Sequence, residues 1–327
     1  MEIAIQEIRE LSAKVLRQRG LEPDEIEMVL DHLLDAELSG KPSHGFIRVI
    51  RICKIIDADP MGEIRIAKET PVSVLLDGGN RPGIVVATRA TEIAIEKARA
   101  HHVGLAGGYN CDAIYVTGAY ARQAALEGLI GIVTCNSTAA VAPWGSIDPI
   151  MGTNPLAIAV PTGDEPIVLD FATSKTTYGD VMVAMKTGLP LPHGILIDKD
   201  GQSTTDPNAI TEGALLPIAA HKGSGLSMML EILAGPLVNA KGGREAVPGS
   251  WGFFVMVFDP EVFGPLDVFQ SKLARMVEEI KGARRAPGCS DVLLPGEKGA
   301  QARAANAART TLLIPDPVIA EIQALRQ

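Results

Sequence analysis

The sequence predicts a mixed α/β protein whose two ends are helical. Apolar residues recur at helical spacing in residues 5–19 and 24–38. Short apolar runs of strand type then alternate with helical segments between residues 72 and 281. After Pro295 the chain returns to helical spacing. This order favours a mixed sheet flanked by helical N- and C-terminal parts.

The opening segments predict three helices. Residues 5–19 stop at Gly20 and residues 24–38 stop at Gly40, and glycine commonly closes a helix because it adopts the left-handed conformation. Ser43 suits the N-cap of a third helix, whose apolar residues again recur every three or four positions. We therefore expect an opening that is entirely helical.

The middle of the chain supplies the strands. Each candidate is a short run rich in branched apolar residues and bounded by turn-forming residues. We predict strands at residues 72–76, 103–106, 130–135, 156–160, 167–169, 195–197 and 253–257. We predict helices at residues 86–100, 117–127, 176–187, 223–239 and 266–281, and in the tail at 298–308 and 316–326.

Length and composition limit the possible classes. The chain has 327 residues, 46% of them hydrophobic, which is enough for a sizeable core and for two domains. The helical tail is more similar to the opening than to the middle, so we expect residues 1–120 plus 295–327 to form a discontinuous helical domain around residues 121–294. The net charge is −9 without a lysine or arginine stripe, which argues against nucleic acid or a membrane as partner.

The cysteines and the N-terminus indicate a reduced compartment. The four cysteines show no CxxC and no paired spacing, so we expect neither a disulfide framework nor a structural metal. The first residues lead into a charged amphipathic segment, and no apolar run reaches the length of a membrane span. We expect a cytoplasmic protein.

His44 and Arg48 form the most informative pair in the sequence. If one helix started at Ser43, these side chains would share a face, one turn apart. An imidazole exchanges protons near neutral pH, and a guanidinium binds a carboxylate through two parallel hydrogen bonds. The pair therefore suits acid–base chemistry on a small carboxylic acid, although a satisfied histidine beside a solvated arginine would give the same pattern.

The usual nucleotide-binding fingerprints are missing. The chain has neither GxGxxG after a strand nor GxxxxGK[ST]. Three glycine-bearing loops remain as candidates, at residues 152–155, 170–174 and 221–225. In the last loop Lys222 stands at the start of a predicted helix, where free backbone N–H groups and a full positive charge favour an anion.

Several motifs together resemble those of the type 2 malate/L-lactate dehydrogenases, over nearly the whole chain. They are, in order, Ser43-His44-Gly45 with Arg48, Ala142-Pro143-Trp144-Gly145, Gly152-Thr153-Asn154-Pro155-Leu156-Ala157, Leu169-Asp170-Phe171-Ala172-Thr173-Ser174, and Leu216-Pro217 before His221-Lys222-Gly223-Ser224-Gly225-Leu226. The resemblance implies a non-Rossmann NAD(P)-binding fold, which explains the absent fingerprint. It also implies a homodimer, with residues 1–120 plus 295–327 as the substrate and dimer domain and residues 121–294 as the NAD(P)-binding domain.

The resemblance implies roles for individual residues. His44 would give the proton to the substrate, helped by Ser43, while Arg48, Thr153 and Asn154 would bind the substrate. NADPH or NADH would be the cofactor, and Lys175 slightly favours NADPH. The implied cofactor contacts are His44, Thr117, Leu169, Asp170, Phe171, Thr173, Ser174, Lys175, Lys222, Gly223, Pro295, Gly296, Glu297 and Lys298.

Asp180 bears on the substrate. Many hydroxyacid-oxidising members carry a lysine after the glycine at this point, whereas Asp180 resembles the branch of Δ1-piperideine-2-carboxylate/Δ1-pyrroline-2-carboxylate reductases, with Ser43, His44 and Asp180 as catalytic residues. A carboxylate there would stabilise an imidazolium or a cationic imine. Asp180 equally suits a plain helix cap.

One departure from the family and two alternative functions remain open. Ala113 stands where family members commonly carry a histidine, so the pocket differs from the usual pattern. Asp112 could replace that polar contact, although a loop aspartate is more often solvated.

The alternatives to imine reduction are a 2-hydroxyacid dehydrogenase of malate, L-lactate, ureidoglycolate or sulfolactate type, and a non-catalytic cofactor-binding homologue.

Overall fold

The computed structural model describes residues 2–326. The helices are α1 Ile5–Arg17, α2 Pro23–Leu38, α3 Arg48–Ala58, α4 Gly83–His101, α5 Thr117–Leu126, α6 Tyr178–Thr187, α7 His221–Ala234, α8 Leu266–Lys281, α9 Glu297–Asn306 and α10 Asp316–Ala324. The strands are β1 Glu2–Ala4, β2 Arg65–Thr70, β3 Ser73–Asp77, β4 Val103–Cys111, β5 Ile130–Cys135, β6 Leu156–Val160, β7 Ile167–Phe171, β8 Leu196–Ile197, β9 Ser203–Thr204, β10 Ala214–Leu215, β11 Trp251–Phe258 and β12 Thr311–Leu313.

A seven-stranded sheet organises the protein. Its strand order is β2-β3-β4-β11-β5-β6-β7, and β3 with β4 is a parallel pair in an otherwise antiparallel arrangement. In the central strand Phe253, Val255 and Val257 are buried at alternate positions, as expected for a strand that packs one face on a core. The alanine-rich faces of α4 and α5 lie against this face because small side chains allow close approach. The predicted mixed α/β fold is confirmed.

The helical ends of the chain share a second core. Apolar residues of α1, α2 and α3 pack with Val318, Ile319 and Ile322 of α10. Strand β1 pairs with β12, with Ile3 opposite Leu312, so the expectation of an entirely helical opening is wrong. Three residues are too few for a periodic pattern. The two termini thus meet, whereas the large sheet takes strands from both predicted domains, and the division into domains stays a prediction.

The third helix starts later than the sequence predicts. Residues Pro42–His44 form a 3-10 turn, and α3 begins at Arg48 with Ile47 as N-cap. The backbone of Gly45 leaves helical geometry at φ −87° and ψ −148°, and a Cβ on this glycine would overlap the Glu37 carboxylate. Ser43 is therefore not a helix cap, and His44 and Arg48 do not share a helix face.

Other differences have local causes. The predicted helix at 223–239 is interrupted because Pro236 cannot continue the hydrogen-bond ladder of α7, which ends at Ala234. Strand β2 was missed because its side chains are nearly all exposed and lack a buried face. Asp170 and Phe171 belong to β7 itself, not to the loop after it.

Residues 2–326 were compared with the requirements of a membrane-spanning helix, a metal site and a disulfide. No helix in this range combines the length and apolar character that a bilayer crossing requires. No group of three or more histidine, cysteine, aspartate or glutamate side chains in this range is arranged to hold a metal ion. The four cysteines are unpaired, two of them buried.

Candidate active site

A cavity of about 1440 Å³ opens between the helical part and one end of the large sheet. Its wall combines the 3-10 turn before α3, α3 itself, the loop between β4 and α5, the end of β7 and the start of α6. Eight of the residues predicted from the sequence line it, namely Ser43, His44, Arg48, Thr117, Thr153, Asp170, Phe171 and Asp180. The fold thus brings together side chains that are up to 137 positions apart in the chain, from Ser43 to Asp180.

His44 lies on the 3-10 turn with one ring nitrogen engaged. Ser43 Oγ and His44 Nδ1 are 3.0 Å apart, which leaves Nε2 for proton exchange with a substrate. Burial, together with the positive charges of Arg48 and Lys41, lowers the pKa of His44 to about 4, against the opposing effect of Asp170 and Asp180. The imidazole is therefore neutral at pH 7 in the free protein.

Arg48 points its guanidinium into the cavity wall without a carboxylate partner. Its Nε donates to the carbonyl oxygen of Ser43 over 2.6 Å, and its guanidinium carbon lies 5.5 Å from the centre of the Tyr115 ring. No carboxylate within residues 2–326 pairs with it, and burial lowers its pKa. A Cβ on Gly179 would lie 3.1 Å from Nη2, so this glycine makes room for the arginine at the start of α6. An unpaired, partly buried guanidinium suits a small carboxylate.

Asp180 closes a capping box on α6. Its backbone N–H donates to Thr177 Oγ1 over 3.1 Å, and its carboxylate accepts from Thr176 Oγ1 over 3.1 Å and from the N–H of Thr177 over 3.4 Å. The carboxylate also lines the cavity and raises the pKa of His44. Capping and an electrostatic effect on His44 therefore coexist at this residue.

Asp170 ties the His44 turn to the sheet. Its carboxylate pairs with Lys41 Nζ over 2.5 Å and accepts from Thr117 Oγ1 over 2.8 Å. A Cβ on Gly118 would lie 2.9 Å from the Asp170 Cβ, so a glycine is needed at that point of α5. Both carboxylate oxygens of Asp170 are thus occupied, and the residue holds two walls of the cavity together.

The remaining predicted residues do not reach the cavity wall. Asn154 is fully buried, and its Nδ2 donates to Glu231 Oε2 over 2.6 Å. Lys175 and its neighbours pair with residues 216–218, and Pro295 accepts the N–H of Val168. The residues in this group are Asn154, Leu169, Thr173, Ser174, Lys175, Lys222, Gly223, Pro295, Gly296, Glu297 and Lys298. Their roles stay predictions.

Glu231 supports the cavity from behind and was missed by the sequence reasoning. The residue is 8% exposed, and its carboxylate accepts from Asn136 Nδ2, Asn154 Nδ2 and the backbone N–H groups of Gly152 and Gly243. It thereby holds the loops that carry Asn136 and Thr153 to the wall. Glu231 is the one carboxylate in the apolar sequence of α7, and this pattern could have indicated a buried acid with hydrogen-bond partners.

His32 supports the loop before α5 and was also missed. Its Nε2 accepts the N–H of Val116 over 3.2 Å, and its ring stacks on Tyr120 with 5.2 Å between centroids. Burial lowers the pKa of His32 to about 4. The neutral ring helps hold Tyr115, whose φ of 60° is unusual for a large residue.

The sequence suggests a solvated side chain for Asp112, as for most loop aspartates, but the structure buries it. It is 5% exposed and binds Arg51 through two bonds, from Nε over 3.2 Å and from Nη2 over 2.9 Å. The Arg51 guanidinium carbon lies 5.1 Å from the centre of the Trp251 ring. Arg51, Trp251 and Ala113 line the cavity, whereas Asp112 stands behind them. Asp112 therefore does not replace the missing histidine directly.

The cavity fits the dinucleotide that the resemblance implies. Its volume of about 1440 Å³ exceeds the 300–1,000 Å³ of an ordinary small-molecule site, which leaves space for a cofactor and a small acid together. The N-termini of α5 at Thr117 and of α6 at Tyr178 both face it, and such ends favour phosphate. Residues at these two ends would hold the cofactor next to His44.

Known proteins match this chain over most of its length. Residues 3–323 match the malate/L-lactate dehydrogenase family. The chain is 35% identical over 309 residues to a malate/(S)-sulfolactate dehydrogenase of Methanothermus fervidus, which covers 91% of this chain and 89% of that protein. It is 32% identical over 309 residues to the ureidoglycolate dehydrogenase (NAD(+)) of Escherichia coli K12, with 91% and 88% covered. The structure of a Δ1-piperideine-2-carboxylate reductase from Pseudomonas syringae pv. tomato superimposes with a TM-score of 0.85 at 28% identity, covering 99% of both chains.

Proposed function

Since the chain belongs to the malate/L-lactate dehydrogenase family, we propose that it reduces cyclic imino acids of the Δ1-piperideine-2-carboxylate type with NADPH or NADH. It is an NAD(P)-dependent oxidoreductase, as its relatives are. The observation that carries the proposal is the position of His44 and Arg48 on one cavity wall, a proton carrier beside an unpaired carboxylate-binding cation. His44, Ser43 and Asp180 are the proposed catalytic group.

Arg48 positions the substrate and tunes His44. A carboxylate bound by the guanidinium fork would place the adjacent C=N or C=O bond toward the His44 ring. The same carboxylate neutralises the charge of Arg48, which is one cause of the low pKa of His44. The pKa of His44 therefore rises when substrate binds, and the ring takes up the proton that the reaction needs.

His44 supplies the proton of the reduction. A reduced nicotinamide, when bound, would supply the hydride to the C=N carbon. The protonated His44 would give its Nε2 proton to the imine nitrogen. After the transfer the imidazole is neutral, which is also its protonation state in the free protein. In the oxidative direction the same neutral ring removes the proton from a hydroxyl or amine.

Asp180 supports imine reduction over oxidation of hydroxy acids. Its carboxylate lies on the cavity wall and would favour the positive charge that the imine nitrogen acquires when it takes the proton of His44. The alternative is a 2-hydroxyacid dehydrogenase acting on malate, L-lactate, ureidoglycolate or sulfolactate, which the names of the two sequence relatives support. That enzyme would use the same His44 and Arg48. A non-catalytic cofactor-binding homologue is the remaining alternative.

Oxidation of NADPH and NADH, followed by absorbance, separates these functions. The substrates are Δ1-piperideine-2-carboxylate, Δ1-pyrroline-2-carboxylate, pyruvate and oxaloacetate, each with both cofactors. We expect the highest kcat/KM with the imino acids and a modest preference for NADPH. Turnover of the oxo acids alone would support the hydroxyacid dehydrogenase, and cofactor binding without turnover would support the non-catalytic homologue.

We also propose a homodimer. Met228, Met229 and Ile232 of α7 are 55%, 53% and 42% exposed, and the nearby Leu237 is 59% exposed. Neighbouring apolar side chains of this kind are typical of a surface that contacts another protein. Light scattering during gel filtration should give twice the mass of 34.5 kDa, and the mass of one chain would contradict the proposal.

A further inference from the structure

Two arginines on the same helix differ in how their charge is compensated. Arg48 and Arg51 lie one turn apart on α3, and both line the cavity. Each guanidinium lies over an aromatic ring, that of Tyr115 for Arg48 and that of Trp251 for Arg51. Arg48 has no carboxylate partner in the described chain, whereas Arg51 forms a two-point ion pair with the buried Asp112. Only the first of these two cations is free to bind an acid group.

The other charges of the wall are arranged in pairs or lie toward water. Lys41 pairs with Asp170, and Lys54 pairs with Glu321. The charged side chains of the wall without an ion pair, besides Arg48, are those of Lys186, Asp180 and Glu212, and all three are exposed. Exposed charges are partly screened by water and salt. Within residues 2–326, Arg48 therefore carries the one partly buried charge of the wall that has no oppositely charged partner.

We infer that Asp112 makes this cavity select substrates with one negative charge over substrates with two. The inference rests on the proposed function, and it concerns which carboxylic acids that site accepts. A second acid group near Arg51 would have to share the positive charge with Asp112, which already accepts from Nε and Nη2. If the second acid group drew Arg51 away, the buried carboxylate of Asp112 would lose its partner, which is strongly unfavourable.

The neighbouring residues strengthen this selection. Ala113, the residue after Asp112, lies on the cavity wall and offers no side-chain donor to a second acid group. The Trp251 ring holds the Arg51 guanidinium against rotation away from Asp112, since stacking favours one orientation of the plane. Asp112 is thus a positioning residue that acts through Arg51. Malate and sulfolactate carry two acid groups, whereas Δ1-piperideine-2-carboxylate carries one, so the selection bears on the choice of substrate.

Removal of the Asp112 charge tests the inference. Two pairs of acids differ by one carboxylate: pyruvate and oxaloacetate for turnover, and pyrrole-2-carboxylate and pyrrole-2,5-dicarboxylate for binding by calorimetry with NADPH present. We expect the wild-type protein to favour the monoacid of each pair. Asp112→Asn frees Arg51 and should shift both ratios toward the diacid by about ten-fold or more.

A double variant separates charge from packing. Arg51→Met combined with Asp112→Asn removes both charges, so the net charge at the wall is unchanged and the ratios should stay near the wild-type values. Thermal melting shows which variants fold. If Asp112→Asn does not fold, the wild-type ratio and the double variant decide the question.

Distinct results distinguish the inference from the proposed function. A wild-type preference for the diacid would overturn the inference, as would a folded Asp112→Asn protein with unchanged ratios or a double variant that shifts toward the diacid. Absence of turnover with every oxo and imino acid would overturn the proposed function instead. The binding ratios would still be measurable in that case and would test the charge selection by themselves.

Discussion

The Nε of Arg48 donates a hydrogen bond to the carbonyl oxygen of Ser43 over 2.6 Å. This bond joins the first residue of α3 to the turn that carries His44, across the break at Gly45. The acid–base group and the carboxylate-binding group are thus held together by a side chain that folds back onto the preceding backbone. The two Nη atoms of Arg48 remain available to a substrate.

Replacement of Arg48 should weaken substrate binding more than turnover. We expect Arg48→Met to raise KM for the preferred acid at least about ten-fold, because the charge and the two-point geometry are both lost. Arg48→Lys keeps the charge without the fork and should give an intermediate KM. Steady-state kinetics measures both effects, and an unchanged KM in Arg48→Met would exclude the carboxylate-binding role.

Replacement of His44 should reduce turnover. We expect His44→Ala to lower kcat at least about a hundred-fold, since general acid catalysis contributes on that order. The dissociation constant of NADPH, measured by fluorescence titration, should change little. Ser43→Ala removes a bond to Nδ1 but keeps the ring, so its kcat should lie between those of His44→Ala and the wild-type protein. Turnover close to wild type in His44→Ala would remove this residue from the mechanism.

Asp180→Asn separates the charge of this residue from its capping role. An asparagine side-chain oxygen can still accept from the N–H of Thr177, so the melting temperature should be nearly unchanged. Loss of the carboxylate should lower kcat/KM for an imino acid more than for pyruvate, because only the imine carries a positive charge when protonated. An equal effect on both substrates, or none, would leave Asp180 as a helix cap alone.

Glu231→Gln should destabilise the loops behind the cavity. A glutamine amide group places N–H donors where one carboxylate oxygen now accepts, so two of its present hydrogen bonds are lost. We expect a loss of about 2–4 kcal/mol in the free energy of unfolding, measured with urea. Glu245→Gln is the matched control, since its side chain is 77% exposed and its ion pair with Lys241 is 3.6 Å long, and it should change stability by less than about 0.5 kcal/mol.

Stability should fall with acidification because of His32. Its pKa is about 4 in the folded protein and 6.5 in a model peptide, so between these values the unfolded chain binds a proton that the folded chain does not. The neutral ring contributes its full stabilisation above pH 6.5. This stabilisation decreases as the pH falls toward 4, and the total loss below pH 4 is about 3 kcal/mol. His44 acts in the same direction because burial also lowers its pKa.

The His32 effect has a direct control. Urea unfolding between pH 4 and 7 should show a weaker pH dependence for His32→Asn than for the wild-type protein. His193→Asn, which changes an exposed histidine, should keep the wild-type slope. Equal slopes for all three proteins would contradict the assignment of the proton uptake to His32.

Regular elements with a clear period were predictable from sequence, and short or exposed ones were not. The strands at Ile130–Cys135 and Leu156–Val160 and the helix at Leu266–Lys281 have the predicted bounds. Each has a buried or amphipathic pattern that local spacing reveals. Strands β1, β9, β10 and β12 have two or three residues and were not predicted, and β1 and β12 pair with each other from opposite ends of the chain. Strand β8, which is equally short, lies within the predicted range 195–197.

The site followed a similar division. The His44 and Arg48 pair was visible as a motif, and both side chains line the cavity. The break at Gly45 was not visible in the sequence, since the carboxylate that packs against this glycine and accepts the N–H of Phe46 is that of Glu37 in the preceding helix. Glu231 and His32 act through loops far from their own positions, so spacing along the chain carries little information about them.

The sequence by itself determined the longer helices and strands with a clear period, the family resemblance and the residue types available for acid–base chemistry, since these depend on neighbouring positions. Only the tertiary structure decided that His44 is neutral, that Arg48 is unpaired and that Asp112 compensates Arg51. Protonation and pairing depend on burial and on charges from other elements, and the chain acquires both only when it folds.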